Sequence, residues 1–147
     1  NNLIVVGKGS SELEDILAPI AQGQQRVLVE EINPAGGFYF RSDHFNFAKA
    51  GVPALYIKSG GDLVDGGLSA GQAADKDYFD NRYHKPGDQY DAATWKLEGV
   101  LDDLNAVYGV GRELTGSDTW PNWYKSNPFK AARDKMLTGK SGAVPAQ

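Results

Sequence analysis

The stretch Leu3-Ile4-Val5-Val6-Gly7-Lys8-Gly9-Ser10-Ser11-Glu12-Leu13-Glu14-Asp15-Ile16-Leu17 changes its hydrophobic period halfway along, and that change decides the fold class. Residues 3–6 are a β-branched run closed by Gly7-Lys8-Gly9, the pattern of a buried strand entering a turn. Beyond the turn, Leu13, Ile16, Leu17 and Ile20 fall at i, i+3, i+4 and i+7, with Ser10 or Ser11 able to cap and Glu12, Glu14 and Asp15 in the favourable first turn. The helix should end near Gln22-Gly23, after which Arg26-Val27-Leu28-Val29-Glu30 resumes strand character. Strand, helix, strand at this spacing predicts a parallel pair joined by a right-handed crossover, and hence an α/β fold.

Further along, residues 33–42 are a loop rich in turn residues, and Ser42 or Asp43 can cap a short helix through Phe45, Phe47, Ala48 and Lys49 that stops before Gly51. Val52-Pro53-Ala54-Leu55-Tyr56-Ile57 is apolar on both sides, as a strand covered by helices should be, with Pro53 near its start where no ladder donor is needed. Residues 59–91 show little regular pattern and are punctuated by Gly60-Gly61, Gly66-Gly67 and Gly71. Irregular loops of roughly 30 residues in a compact domain are uncommon and usually functional. A helical stripe then runs over residues 92–114 through Leu97, Val100, Leu101, Leu104, Val107, Tyr108 and Leu114, with Asp91 or Thr94 as cap. A shorter helix is expected over 128–137 and a flexible tail over 138–147.

The 147 residues, 41% of them hydrophobic, suit one globular domain, and no apolar run reaches the length of a membrane span. Residues 1–117 carry 10 basic and 17 acidic side chains, an acidic body that disfavours nucleic acid, whose binding needs a basic footprint. The absence of cysteine removes disulfides, thiolate catalysis and Cys-type zinc sites, so any metal must be held by carboxylates and the two histidines, His44 and His84. The chain begins at Asn1 directly in strand-like sequence, as though cut from something longer.

Two segments could carry chemistry. Arg41-Ser42-Asp43-His44 stands at a loop-to-helix junction beside a strand, where open α/β sheets place their sites, although Asp43 could equally be a plain N-cap and His44 a surface residue. In Asn81-Arg82-Tyr83-His84-Lys85-Pro86-Gly87-Asp88-Gln89-Tyr90-Asp91, a neutral imidazole could ligate zinc with Asp88 or Asp91 orienting its other N–H, and the Tyr83 hydroxyl could stabilise an oxyanion; the plain alternative is a surface histidine beside a turn, with Asp91 capping a helix. Glu30-Glu31 reads as a solvated strand end rather than a general base and ligand, Trp95, Trp120 and Trp123 read as packing groups, and Lys8-Gly9-Ser10 lacks the spacing of a phosphate loop.

Taken together, Phe40-Arg41-Ser42-Asp43-His44-Phe45 leading into Gly51-Val52-Pro53, followed by Tyr83-His84 and Asp88 before the last long helix, resembles the C-terminal part of the co-catalytic zinc aminopeptidases, metallopeptidase family twenty-eight. The resemblance covers residues 1–137. It implies the C-terminal portion of a three-layer sandwich, a mostly parallel central sheet flanked by helices. It implies His84 as the last zinc ligand, Tyr83 as the oxyanion group, and Asp43 and His44 as a pair behind the metals or on the substrate side. The family's remaining ligands and its Glu general base have no counterpart here and are expected N-terminal to Asn1, since Glu30-Glu31 falls at the wrong point in the order. In the complete protein two zinc ions would activate a bridging water against the N-terminal peptide bond of a substrate with a free N-terminus. The isolated chain is expected to be inactive, to bind zinc weakly or not at all, and to self-associate through an unpaired side of the strand at Leu3. The alternatives are a glutaminyl-cyclase-like acyl transferase, which shares an Asp-His element and a late metal-binding His, and a non-enzymatic peptidase-like binding domain. Family members are commonly exported, so a periplasmic or secreted location is implied.

Overall fold

The computed structural model describes residues 1–140. Three strands, β1 (Asn2–Val5), β2 (Val27–Glu30) and β3 (Ile57–Ser59), form one sheet in the order β2-β1-β3. Five helices accompany them: α1 (Leu13–Gly23), α2 (His44–Lys49), α3 (Gly67–Asn81), α4 (Glu98–Thr115) and α5 (Lys130–Lys140). Two short 3-10 turns, Pro34–Gly36 and Phe38–Arg41, fill the loop before α2. The α/β class and the opening strand, helix, strand unit are as expected, and β1 and β2 are parallel with Leu3 opposite Leu28.

The sheet is mixed, however, because β3 runs antiparallel to β1, pairing Leu3 with Ser59 and Val5 with Ile57. A strand apolar on both faces carries no signal of direction, so the expectation of a mostly parallel sheet had nothing in Val52-Pro53-Ala54-Leu55 to correct it. The strand also begins later than expected: only Ile57 is shared with the predicted segment, and Tyr56 extends the pairing by accepting from Val6 N at 2.9 Å. β1 is the central strand, paired on both sides, so the free edges belong to β2 and β3 and not to Leu3.

The core lies on one face of the sheet. Leu3 and Val5 of β1 meet Leu13, Leu17 and Ala21 of α1 and Ala106 and Val110 of α4, with Ile16, Ile20, Leu28, Leu55, Ile57 and Leu114 around them. The small side chains of α4 let it approach α1 closely, and a Cβ on Gly109 would come within 3.0 Å of Ile20. Arg26, just before β2, pairs with Asp103 of α4 at 2.6 Å, and Gln24 Nε2 donates to the Asp102 carbonyl at 2.8 Å.

The turn into α1 is held differently from the serine cap expected. Buried Glu14 folds its carboxylate back to accept from the backbone N–H groups of Gly9 at 2.8 Å and Ser10 at 2.7 Å, while the Ser10 hydroxyl bonds the Gly7 carbonyl. A carboxylate accepting several amides is a stronger lock than a neutral hydroxyl. The segment after α4 is strapped across this turn: Tyr124 N donates to Ser10 O at 2.9 Å and Glu12 N to Asn122 O at 2.9 Å. Trp123 is 1% exposed, with its indole N–H on the Gly51 carbonyl at 3.1 Å. Buried Arg133 of α5 donates twice to the Pro121 carbonyl, at 3.1 and 2.8 Å.

α3 occupies part of the stretch expected to be irregular, and α4 starts at Glu98 rather than at residue 92. The expected tail from residue 138 overlaps α5, which runs through Lys140; residues 141–147 lie outside those described. No helix among the described residues is long and apolar enough to cross a membrane.

Candidate functional site

α2 places Asp43 and His44 at its start, yet Asp43 does not cap with its side chain: its backbone carbonyl accepts from Asn46 N at 3.2 Å, and the Ser42 carbonyl accepts from Phe45 N at 3.1 Å. The Asp43 side chain is left to solvent. His44 is turned inward instead, its ring edge-on to Tyr39 at 4.7 Å and tilted against Tyr56 at 5.3 Å. Both ring nitrogens are shut away from water and, among the described residues, have no hydrogen-bond partner, as is true of the Tyr39 hydroxyl. Burial pushes the His44 pKa below its ordinary value and the Tyr39 pKa above its own, so both groups are held neutral near pH 7.

The second pair sits where α3 ends. Arg82 and Tyr83 both donate their backbone N–H to the Tyr78 carbonyl at 2.8 Å, and Lys85 N closes the next turn onto the Arg82 carbonyl at 2.9 Å. The turn between holds His84 at φ +55°, in the left-handed region that is uncommon for residues other than Gly, though Asn, Asp and His enter it more often than most. Its ring stacks on Tyr83 with centroids 4.0 Å apart and planes 27° from parallel, and Tyr83 in turn rests edge-on against Phe79 at 5.0 Å. His84 is thus exposed and held by stacking, and among the described residues neither of its nitrogens is hydrogen-bonded.

The carboxylates expected behind His84 are committed elsewhere. Asp88 accepts from the Tyr78 hydroxyl at 3.0 Å, and that bond is the main cause of a raised Tyr78 pKa. Asp91 accepts from Ala93 N at 2.9 Å and the Thr94 hydroxyl at 3.0 Å, closing a local turn before α4 rather than capping the helix. Among the described residues, no hydrogen bond, ion pair or ring contact joins Tyr83 and His84 to Asp43 and His44. Nor do three His, Asp or Glu side chains gather closely enough to hold a metal ion.

Two further groups stand out, one that the sequence pattern passed over and one that it placed in solvent. Tyr39 lies in a glycine-rich, aromatic loop that gave no residue-level signal. Glu31, read as a solvated strand end, has its Oε2 shut away from solvent without a partner, although neighbouring Glu30 is exposed. Of the tryptophans, Trp123 is a packing group, whereas Trp95 is 45% and Trp120 60% exposed, the latter with the Arg133 guanidinium 5.8 Å from its ring.

A family model described as Peptidase family M28 matches residues 1–108, a span that runs from β1 into α4 and contains both histidine pairs. No curated protein and no solved structure matches the chain.

Proposed function

The chain belongs to peptidase family M28, and from that premise we propose that it is part of the catalytic domain of an exported zinc aminopeptidase, a three-layer fold in which this chain is the C-terminal portion. The observation that supports this reading most directly is His84, which lies within the span the family model covers and has a left-handed backbone conformation, with its ring stacked and exposed and, among the described residues, neither nitrogen hydrogen-bonded. Backbone strain of this kind costs about 1–3 kcal/mol and concentrates at functional sites.

Members of the family are generally zinc-dependent. A zinc ion takes about four N, O or S donors, and no set of three is gathered among the described residues. The donors present here therefore do not make a metal site on their own. In this reading His84 is one ligand, Tyr83 keeps its hydroxyl free as an oxyanion donor next to it, and Asp43 and His44 stand behind the metals or on the substrate side; the other ligands and the general base come from the rest of the protein. The exposed apolar stripe of α4 offers that remaining portion a surface to pack on.

The test uses leucine p-nitroanilide with both the 147-residue chain and the full-length protein. The short chain should be silent with or without added zinc and should show no tight zinc binding by calorimetry. The full-length protein should hydrolyse the substrate, lose activity to a chelator, and lose most of its activity when His84 is replaced by Ala. Chelator-sensitive hydrolysis by the short chain would refute the proposal. A full-length protein that cyclised an N-terminal Gln, or that bound peptide without turnover, would replace it with the cyclase or the binding-domain reading.

A further inference from the structure

Four separate segments converge on a cavity of about 300 Å³: the β1–α1 turn with Gly7 and Ser10, the end of β2 with Glu31, the 3-10 turns with Tyr39 and Phe40, and the turn before α5 with Phe129. Its walls are largely apolar and aromatic. Tyr39 and Phe40 meet edge-to-face at 5.4 Å, Phe40 and Phe45 at 5.2 Å, and Phe45 and Phe129 at 5.9 Å, so the rings form a continuous bank. Two of the lining residues carry oxygens that are screened from solvent and have no hydrogen-bond partner, Glu31 Oε2 and the Tyr39 hydroxyl, and Tyr39 as a whole is only 9% exposed.

A carboxylate oxygen and a phenol left without partners are costly, and aromatic rings beside a carboxylate are the chemistry that recognises an organic cation. We infer that this cavity is a binding site for an alkylammonium group, such as the end of a lysine side chain or a polyamine. The carboxylate of Glu31 supplies the counter-charge, and the rings of Tyr39, Phe40 and Phe129 flank the methylenes. The acidic body of residues 1–117 draws cations toward it. Nothing in this assignment depends on zinc or on peptide hydrolysis, so it stands or falls separately from the proposed activity.

The probe is n-butylammonium, with 1-butanol as its neutral counterpart, added to the full 147-residue chain and followed by 1H–15N NMR. Saturable shifts at the amides of Tyr39, Phe40 and Phe129 are expected with the ammonium, at a Kd of about 1 mM for so small a ligand, and not with the alcohol. Glu31→Gln should weaken binding about ten-fold. Phe40 is 63% exposed, so Phe40→Leu leaves the fold intact and should weaken binding several-fold even if the Glu31 variant fails to fold. Absence of saturation, equal shifts with the alcohol, or undiminished binding by both variants would overturn the assignment.

Discussion

At the scale of single residues, His44 is the group whose surroundings most constrain its chemistry. Packed between Tyr39 and Tyr56 with neither nitrogen bonded, it is kept neutral in the native chain at a pKa below its ordinary value of 6.5. The unfolded chain takes up a proton near 6.5 while the native one does not, so between the unfolded and native values stability rises with pH and falls as pH drops. Above the unfolded value both states are neutral and the contribution to the slope vanishes. Urea titrations at about pH 7 and about pH 5 should therefore show a larger loss of stability for the wild type than for His44→Gln. Equal losses would mean that the imidazole finds a proton acceptor in the fold. The sequence placed this residue at a helix start beside a strand correctly, but it could not show that the ring turns inward while Asp43 turns out. That choice is made by Tyr39, six residues into a loop with no periodicity to read.

At the scale of elements, legibility followed amphipathic period. β1, α1 and β2 were readable because Leu3, Val5, Leu13 and Leu17 each repeat toward one shared core. α3 was not, since Gly71 is its only buried residue and the helix is instead supported along its exposed surface by Lys76 with Asp80 and by Asn81 with Asp77 at 2.8 Å. Hydrophobic pattern is blind to a helix that buries no stripe. α1 conceals the opposite case, a strong pattern carrying a defect: Pro19 lies inside it, so the turn above Asp15 lacks its backbone donor. Because Pro19 is exposed and the rest of α1 is anchored by the core, the helix tolerates the loss. Pro19→Ala should restore the bond and stabilise the chain by about 1–3 kcal/mol, less than the full helix-interior penalty because the unfolded chain also gains freedom. The check is a higher urea midpoint at unchanged m-value; a lower midpoint would show that the proline shape is needed where it stands.

At the scale of the whole molecule, the sequence motifs located both histidine pairs but not their separation. The resemblance implies that Asp43-His44 and Tyr83-His84 serve one site; among the described residues they are held by different aromatic clusters, Tyr39 and Tyr56 on one side and Tyr83 with Phe79 on the other. Spacing along a chain does not show which aromatic cluster will hold each histidine. α4 likewise divides between a packed side and an open one. One side packs through Ala106 and Val110, while Leu97, Val100, Leu101, Leu104, Val107 and Tyr108 remain between 43% and 67% exposed. Their spacing of three and four residues makes a continuous seam of the kind that helices bury against one another. Loss of that much apolar surface to water works against solubility as a monomer. The isolated chain should therefore associate through α4 at high concentration, its mass by light scattering rising with concentration. Replacing Leu101 and Leu104 together with Glu should return it to a monomer without loss of the core, because both side chains point away from it. A wild-type mass that stays monomeric at high concentration would count against association, and a mass that rises equally in the double variant would shift the contact from α4 to the free edges of β2 and β3.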